Sequence, residues 1–504
     1  METPLPIDAV LEELIAALRA HGQAVLQAPP GAGKTTRVPL AMRAANLVNG
    51  RILMLEPRRL ATRAAAERMA ATLNEQVGQT VGYRIRGEAK ISRFTRIEVI
   101  TEGILTRMIQ GDPTLDGIGA IIFDEFHERS LNGDFGLALA LDVRRALRDD
   151  LVLLAMSATL DAEPVADLMG NAPVVTSDGQ SFPVATRWLE RPAAKGQRYE
   201  VSMASLIGKA ISETTGGILA FLPGEGEIRR VMGALGSLPS NIEVLALFGS
   251  LPFRDQQRAL GPVTGRKLVL ATSIAETSLT IPDIRVVVDG GRARRARYDP
   301  GSGMSRLVTE RVSRAEADQR RGRAGRVAEG TCYRLWTKGE EGGLAAFPPA
   351  EIETADLAGL ALDLAEWGSD DLAFLTPPPA GALGEAKALL TALRALKDGH
   401  ITDHGRALAR MPLHPRLAHM MALSGEAAAP LAALLADRDP MRGVGCDLGL
   451  RLARLKTKIR EPGLDRIRAE ARRLQKSATK TKISDAAEQA ALAFPDRIGL
   501  RRSG

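Results

Sequence analysis

Short apolar runs recur through the first part of the chain at intervals that helices would fill. AVLQA (24–28), RILMLE (51–56), IEVIT (97–101), AIIFDE (120–125) and LVLLAMSA (151–158) each predict a buried strand. Between them, stretches such as Ala61–Leu73 place apolar and alanine positions at helical spacing. Near-continuous apolar strands separated by helices imply a parallel sheet covered on both faces. After a Pro/Gly-punctuated crossing at 171–183 the rhythm returns with GILAFL (217–222), IEVLAL (242–247), KLVLAT (267–272) and IRVVVD (284–289). Two consecutive α/β domains are therefore expected. From about residue 350 the strand pattern stops, and Ala/Leu-rich helices broken by TPPPAG (376–381) follow.

Composition excludes several classes without changing that picture. The 504 residues suggest three or four domains at roughly 150 residues each. With 49 Gly, 28 Pro and 45% apolar residues, the chain is neither a fibre nor a disordered tail. Its two cysteines, Cys332 and Cys446, are too few and too distant for a disulfide framework or a cysteine-rich zinc site. The start has no basic segment leading into an apolar core, since Glu12 and Glu13 interrupt the only candidate. No run reaches the roughly 18 apolar residues of a membrane span. The chain reads as soluble and cytoplasmic, with no membrane partner. Net charge is +7 and is concentrated. Arg451–Lys482 holds twelve Lys/Arg against Glu461, Asp465 and Glu470, a net +9 that leaves −2 for the rest. This stretch either extends a nucleic-acid track or forms a helical hairpin with a solvated basic face.

Two segments carry chemistry. AVLQA runs into PPGAGKTT (29–36) and then a helix. Gly31, Ala32 and Gly33 let backbone N–H groups curl round phosphate oxygens at a helix N-terminus, with Thr36 following. Lys34 reaches the β- and γ-phosphates, and the Thr35 hydroxyl suits Mg²⁺. The pattern usually opens on Gly where Ala28 stands. Downstream, IIFDEFHERS (121–130) ends a buried strand on two carboxylates. Asp124, nearest the phosphate loop, is placed to hold Mg²⁺, and Glu125 to orient and deprotonate the attacking water.

Asp124-Glu125-Phe126-His127 resembles motif II of the DEAH/RHA group of superfamily 2 helicases, with Phe where Ala is usual. Ser157-Ala158-Thr159 is similar to motif III, LEPRRLATRAAAERMA (55–70) to motif Ia, and Thr101-Glu102-Gly103 to motif Ib. ATSIAETSLTI (271–281) resembles motif V and QRRGRAGR (319–326) motif VI. The ordered set covers roughly residues 25–330. Within the group, LFGSLPFRDQQRAL (247–260) and GGRARRARYDPGSGMSRL (290–307) look most like a bacterial branch.

The resemblance implies tandem RecA-like P-loop domains at 1–175 and 176–345. A winged-helix-like module at 346–402 and a helical ratchet-like module at 403–504 would follow. It implies an ATP-dependent helicase or translocase on single-stranded nucleic acid, RNA ahead of DNA, working as a monomer with ATP and Mg²⁺. Gln319, Arg323 and Arg326 would complete the γ-phosphate site from the second domain, the arginines as fingers. His127, Ser157 and Thr159 would couple nucleotide state to the strand. Arg58, Arg59, Thr101, Gly249, Ser250 and Thr272 would hold the sugar-phosphate backbone without reading sequence. The RARRARYDP segment would be a strand-separating hairpin. Two departures stand out: Arg321 where Ala is usual, and Pro282 with Asp283 where an acid usually follows SLTI directly. Chains of this branch continue beyond residue 504, so a missing C-terminal part is expected. Two other classes stay open, a nucleic-acid-binding scaffold without coupled unwinding and a P-loop ATPase that remodels proteins. The clustered His400, His404, His414 and His419 suggest packing or surface positions in a helical module rather than a metal site.

Overall fold

The computed structural model describes residues 4–29, 31–158, 162–178, 182–194, 196–276, 281–299, 303–369, 371–441, 443–476, 478–480 and 482–499. It divides into two compact units, one of residues 1–355 with 372–377 and one of residues 356–371 with 378–504.

Among its described residues the first unit contains two large sheets and a two-stranded hairpin. The first has eight strands: β1 (Gln23–Gln27), β2 (Arg51–Glu56), β3 (Val81–Ile85), β4 (Glu88–Lys90), β5 (Ile97–Thr101), β6 (Ile118–Phe123), β7 (Val152–Ser157) and β8 (Val174–Thr176). Their spatial order is β4-β3-β5-β2-β6-β7-β1-β8, and only β4 runs antiparallel to its neighbour. The second sheet orders β11 (Ile242–Leu247), β12 (Arg266–Ala271), β10 (Gly217–Phe221), β13 (Ile284–Asp289), β16 (Gly330–Thr337) and β9 (Val184–Leu189), all parallel.

Helices on both faces explain why the central strands are apolar throughout. Ile218, Leu268 and Val286 enter one core of the second sheet, and their neighbours Leu219, Val269 and Val287 enter the other. The edge strands escape that pattern. β9 alternates half-buried and exposed positions, as expected where one side of the sheet ends. The Arg-rich segment forms an antiparallel hairpin of β14 (Arg292–Asp299) and β15 (Met304–Arg311), tied across strands by Arg295 and Arg297 to Glu310 at 3.3 and 2.7 Å.

The second unit is mainly helical, built around Leu417, Met420, Leu431, Leu464, Ile467 and Leu474, with one two-stranded ribbon of Leu396–Lys397 and His400–Ile401. The basic stretch lies largely on the helices Leu448–Lys456 and Pro462–Lys476, and several of its cations act as internal fasteners. Arg451 binds Asp439 and the carbonyls of Gly445 and Asp447. Arg468 caps the carbonyls of Leu455, Thr457 and Ile459. Lys456, Lys458, Arg460, Arg472 and Lys476 remain exposed.

The histidines pack: His404 and His419 rings meet at 2.8 Å, and His414 reaches Asp356 at 3.2 Å. Burial, then His404, lowers His419 to about 4. Among the described residues no three His, Cys, Asp or Glu side chains gather as a metal site. Nor is any helix among them long and apolar enough to cross a membrane.

Candidate functional site

The phosphate loop and the acid pair hang on the carboxyl edges of the parallel strands β1 and β6, where open α/β sheets bind ligands. β1 runs into the phosphate loop, held from below by Ala28 N–H on the Ser157 carbonyl at 2.9 Å. Gly33 sits at φ +98°, and a Cβ there would meet Leu5 at 2.6 Å, so only glycine fits the turn into the helix Lys34–Ala44.

Lys34 is buried and reaches Glu125 Oε2 at 3.2 Å. Thr35 donates to Asp124 Oδ2, and Asp124 Oδ1 accepts from Glu125 N–H at 2.8 Å. Glu125 stands in the left-handed region at φ +51°, a costly conformation for a residue with a side chain and one that clusters at functional sites. Burial would raise its carboxyl, but Lys34, His127 and Arg323 together outweigh it and lower Glu125 to about 2. Asp124 goes the other way, to about 6, through burial and then the adjacent Glu125 charge.

His127 joins the acid pair to three other groups. Its Nδ1 accepts from Ala158 N–H at 3.3 Å and lies 3.5 Å from Glu125 Oε2. Its Nε2 lies 2.9 Å from the Gln319 amide, which comes from the second sheet's side of the cleft. Burial lowers the imidazole below its ordinary value and favours the neutral ring. With Nδ1 accepting from Ala158 N–H, the ring proton sits on Nε2, which faces the Gln319 side-chain amide.

Gln319 lies in the last turn of a nine-residue helix, Arg314–Gly322, capped by Ser313. Arg323 follows in a short 3₁₀ turn and donates Nε–H to the Glu276 carbonyl at 2.8 Å. Arg326 crosses to the phosphate loop: a Cβ built on Gly31 would lie 3.8 Å from its Nε. Burial comes first in lowering both guanidiniums, Arg326 to about 10, and Arg326 beside it lowers Arg323 further. Two buried cations this close favour an anion between them. The structure thus brings Lys34, Thr35, Asp124, Glu125, His127, Gln319, Arg323 and Arg326 into one cleft, with Ser157 buried behind it. Thr159 lies outside the described residues.

Of the nucleic-acid candidates, Thr101 ends β5, Thr272 follows β12, and Gly249 and Ser250 follow β11 in an exposed turn. Arg59 is exposed at a helix start. Arg58 is already engaged, ion-paired with Glu128 at 3.1 Å and donating to the Ser273 carbonyl across the cleft at 2.8 Å. Arg321 lies 3.5 Å from Asp318.

Two residues of the site were not singled out by motif reading. Glu56, at the end of β2, is fully buried and neither carboxylate oxygen finds a donor. Burial, then Asp124 and Glu125, pushes it well above the carboxylate range. An acid closing a strand gives no sequence signal of this. Arg320 is also buried, bound to Asp289 at 2.8 Å and to Glu276, and holds the finger turn in place.

Burial and mutual repulsion hold Asp124 and Glu56 above their ordinary carboxylate values, an excess of acid that suits a divalent cation. Asp124 and the Thr35 hydroxyl are the fitting donors. Mg²⁺ keeps water and phosphate ligands in such sites rather than an all-protein cage.

Comparison with known proteins bears on the same residues. Residues 9–168 match the DEAD/DEAH box helicase model and residues 203–328 the helicase conserved C-terminal domain. The chain is 44% identical to the ATP-dependent RNA helicase HrpB of Escherichia coli (strain K12), over 99% of this chain and 62% of that protein. It is 35% identical to the ATP-dependent RNA helicase HrpA of the same strain, over 83% of this chain and 33% of HrpA. It superposes on the crystal structure of the Escherichia coli DEAH/RHA helicase HrpB with a TM-score of 0.90, covering 99% of this chain and 64% of that one. The chain therefore spans just under two thirds of the HrpB length. The two parallel sheets are a tandem pair of RecA-like domains, and the resemblance carried by the motifs agrees with these matches.

Proposed function

We propose, from the premise that this chain belongs to the DEAD/DEAH box helicase family, that it hydrolyses ATP in the Lys34–Arg326 cleft to move along single-stranded RNA and so unwind duplexes. The observation that carries the reading is the line Lys34–Glu125–His127–Gln319, which joins the phosphate loop of one RecA-like domain to the finger turn of the other. RNA is preferred over DNA because HrpB and HrpA are named as RNA helicases. Finger and phosphate loop share one chain, which supports a monomer. An RNA substrate, as in the bacterial relatives' names, supports work in the cytoplasm. Residues 1–175 and 176–345 serve as the motor, 346–402 as a winged-helix-like module and 403–504 as a ratchet-like module.

Gly31, Ala32, Gly33, Lys34 and Thr36 cradle the phosphates, and Lys34 exchanges Glu125 for the nucleotide. Thr35 and Asp124 would hold Mg²⁺, which would supply charge neutralisation at the phosphates. Glu125, freed from the lysine, takes the proton of the attacking water, and Gln319 orients that water. Arg323 and Arg326 offset the developing charge, an effect worth roughly 10³–10⁵ in rate for arginine fingers. His127, Ser157 and Thr159 pass the state of the cleft to the strand surface formed by Arg59, Thr101, Gly249, Ser250 and Thr272. Arg58 joins that surface on releasing Ser273.

ATP turnover with and without single-stranded RNA or DNA, with Glu125→Gln as control, tests the reading. RNA stimulation that vanishes in the variant supports it. RNA binding without hydrolysis would replace it with a scaffold, and hydrolysis indifferent to nucleic acid with a protein remodeller.

A further inference from the structure

Residues 345–354 leave the second RecA-like domain and touch three working parts in turn. The carbonyls of Ala345 and Ala346 accept from Arg314 and Ala315 N–H at 2.8 and 3.1 Å, at the start of the helix that carries Gln319. Pro348 and Pro349 follow, a stiff spacer without N–H donors. The segment then docks on the loop after the acid pair. Glu351 N–H donates to the Arg129 carbonyl at 3.0 Å, and Glu351 Oε2 accepts from Leu131 N–H at 2.8 Å. Ile352 is fully buried beneath. Two residues on, the Thr354 carbonyl accepts from Tyr298 N–H at 2.8 Å, on strand β14 of the Arg-rich hairpin.

The docking point is itself braced. Arg129, left-handed at φ +49°, pairs with Asp134 at 2.9 Å and donates to Thr376 at 2.8 Å. Phe374 stacks on buried Phe135 with ring centres 6.2 Å apart. Beneath lies a cavity of about 630 Å³ bordered by His127, Gln319, Glu351 and Thr354, which leaves room for a shift.

We propose that residues 345–354 form a strap that makes the hairpin follow the acid-pair loop, with Glu351 as its fastening and a positioning residue. The hairpin is covalently part of the second domain, yet through Thr354 it is hydrogen-bonded to a segment fixed on the first. When the cleft opens and His127 parts from Gln319, the strap holds the Tyr298 end of β14 with the first domain. Opening then becomes a rotation of the hairpin rather than a simple separation. This inference rests on the helicase reading above.

Glu351 is exposed, so its replacement spares the core. Glu351→Ala removes the acceptor for Leu131, and Glu351→Gln keeps an oxygen there. The full chain is assayed for RNA-stimulated ATP turnover, for displacement of a tailed RNA duplex, and for hydrogen exchange at the Tyr298 amide. Glu351→Ala is expected to keep kcat for ATP within twofold, to lose at least tenfold in strands displaced per ATP, and to exchange Tyr298 at least tenfold faster. Glu351→Gln is expected to behave as the parent. An unchanged displacement ratio in Glu351→Ala, or a glutamine variant as defective as alanine, overturns the strap. If the parent shows no RNA-stimulated turnover or no displacement, the helicase reading fails. The strap is then decided by Tyr298 exchange alone, which an unaltered rate in Glu351→Ala overturns.

Discussion

Replacing Lys34 by alanine leaves the Glu125 carboxylate buried and without its ammonium partner. Both side chains are 5% exposed and their charged atoms are 3.2 Å apart. At that separation an effective dielectric of about 20 gives a gross attraction of about 5 kcal/mol. Breaking one partner of a buried pair costs about 3–5 kcal/mol, because the remaining charge is stranded. For a domain of this size each kcal/mol moves Tm by about 2–4 °C, so Lys34→Ala is expected to lower it by at least about 6 °C. Adding Glu125→Gln removes the stranded charge, and the double variant is expected to regain most of the loss. Calorimetry without nucleotide is the assay. Trp188, Trp336 and Trp367 all lie outside the first RecA-like domain, so tryptophan fluorescence would report on other parts of the chain. An unchanged Tm in Lys34→Ala, or a double variant no more stable than the single one, would refute the reasoning.

Three further outcomes are expected. Burial, opposed by the Ser130 hydroxyl and aided by Glu128, Glu351 and Asp134, raises Glu102 to about 7. Its stabilising contribution is complete below its unfolded value of about 4.5 and is lost as pH rises through 7. Stability between pH 5 and 8 should therefore fall in the parent relative to Glu102→Gln, as read by thermal unfolding at each pH. Arg320→Ala strands Glu276 and Asp289 and should destabilise the second RecA-like domain by about 3–5 kcal/mol, visible in Trp336 fluorescence. Gln319→Ala should leave nucleotide binding intact but reduce RNA stimulation of hydrolysis severalfold, measured as the ratio of stimulated to basal turnover.

How much could be read in advance depended on whether a residue's partner was near in sequence or in a recognisable motif. Strands such as β6 and β13 were legible because burial on both faces leaves an unbroken apolar run. β3, β8, β9 and β16 were not, since edge or partly covered strands carry too short or too mixed a pattern. Lys34, Thr35, Asp124 and Glu125 were legible because phosphate and metal chemistry demand those side chains in that order. The run QRRGRAGR did not disclose which arginine turns inward. Arg320 is fixed by Asp289 and Glu276, and only the fold brings them together. Glu56 looked like the end of an ordinary strand, and Arg58 like a contact to the sugar-phosphate backbone, though here it is engaged by Glu128 and Ser273. Charge counting placed the basic excess correctly at 451–482, but could not see that Arg451 and Arg468 spend their donors on local carbonyls.

The central claim is that two domains complete one ATP site, and Arg326 is where the second domain meets the phosphate loop. The most direct measurement is ATP turnover by Arg326→Ala at saturating RNA and ATP, with nucleotide affinity measured alongside. Affinity within about threefold of the parent and turnover lower by roughly 10³ would match an arginine finger acting on the transition state. Turnover at the parent rate would contradict the shared site.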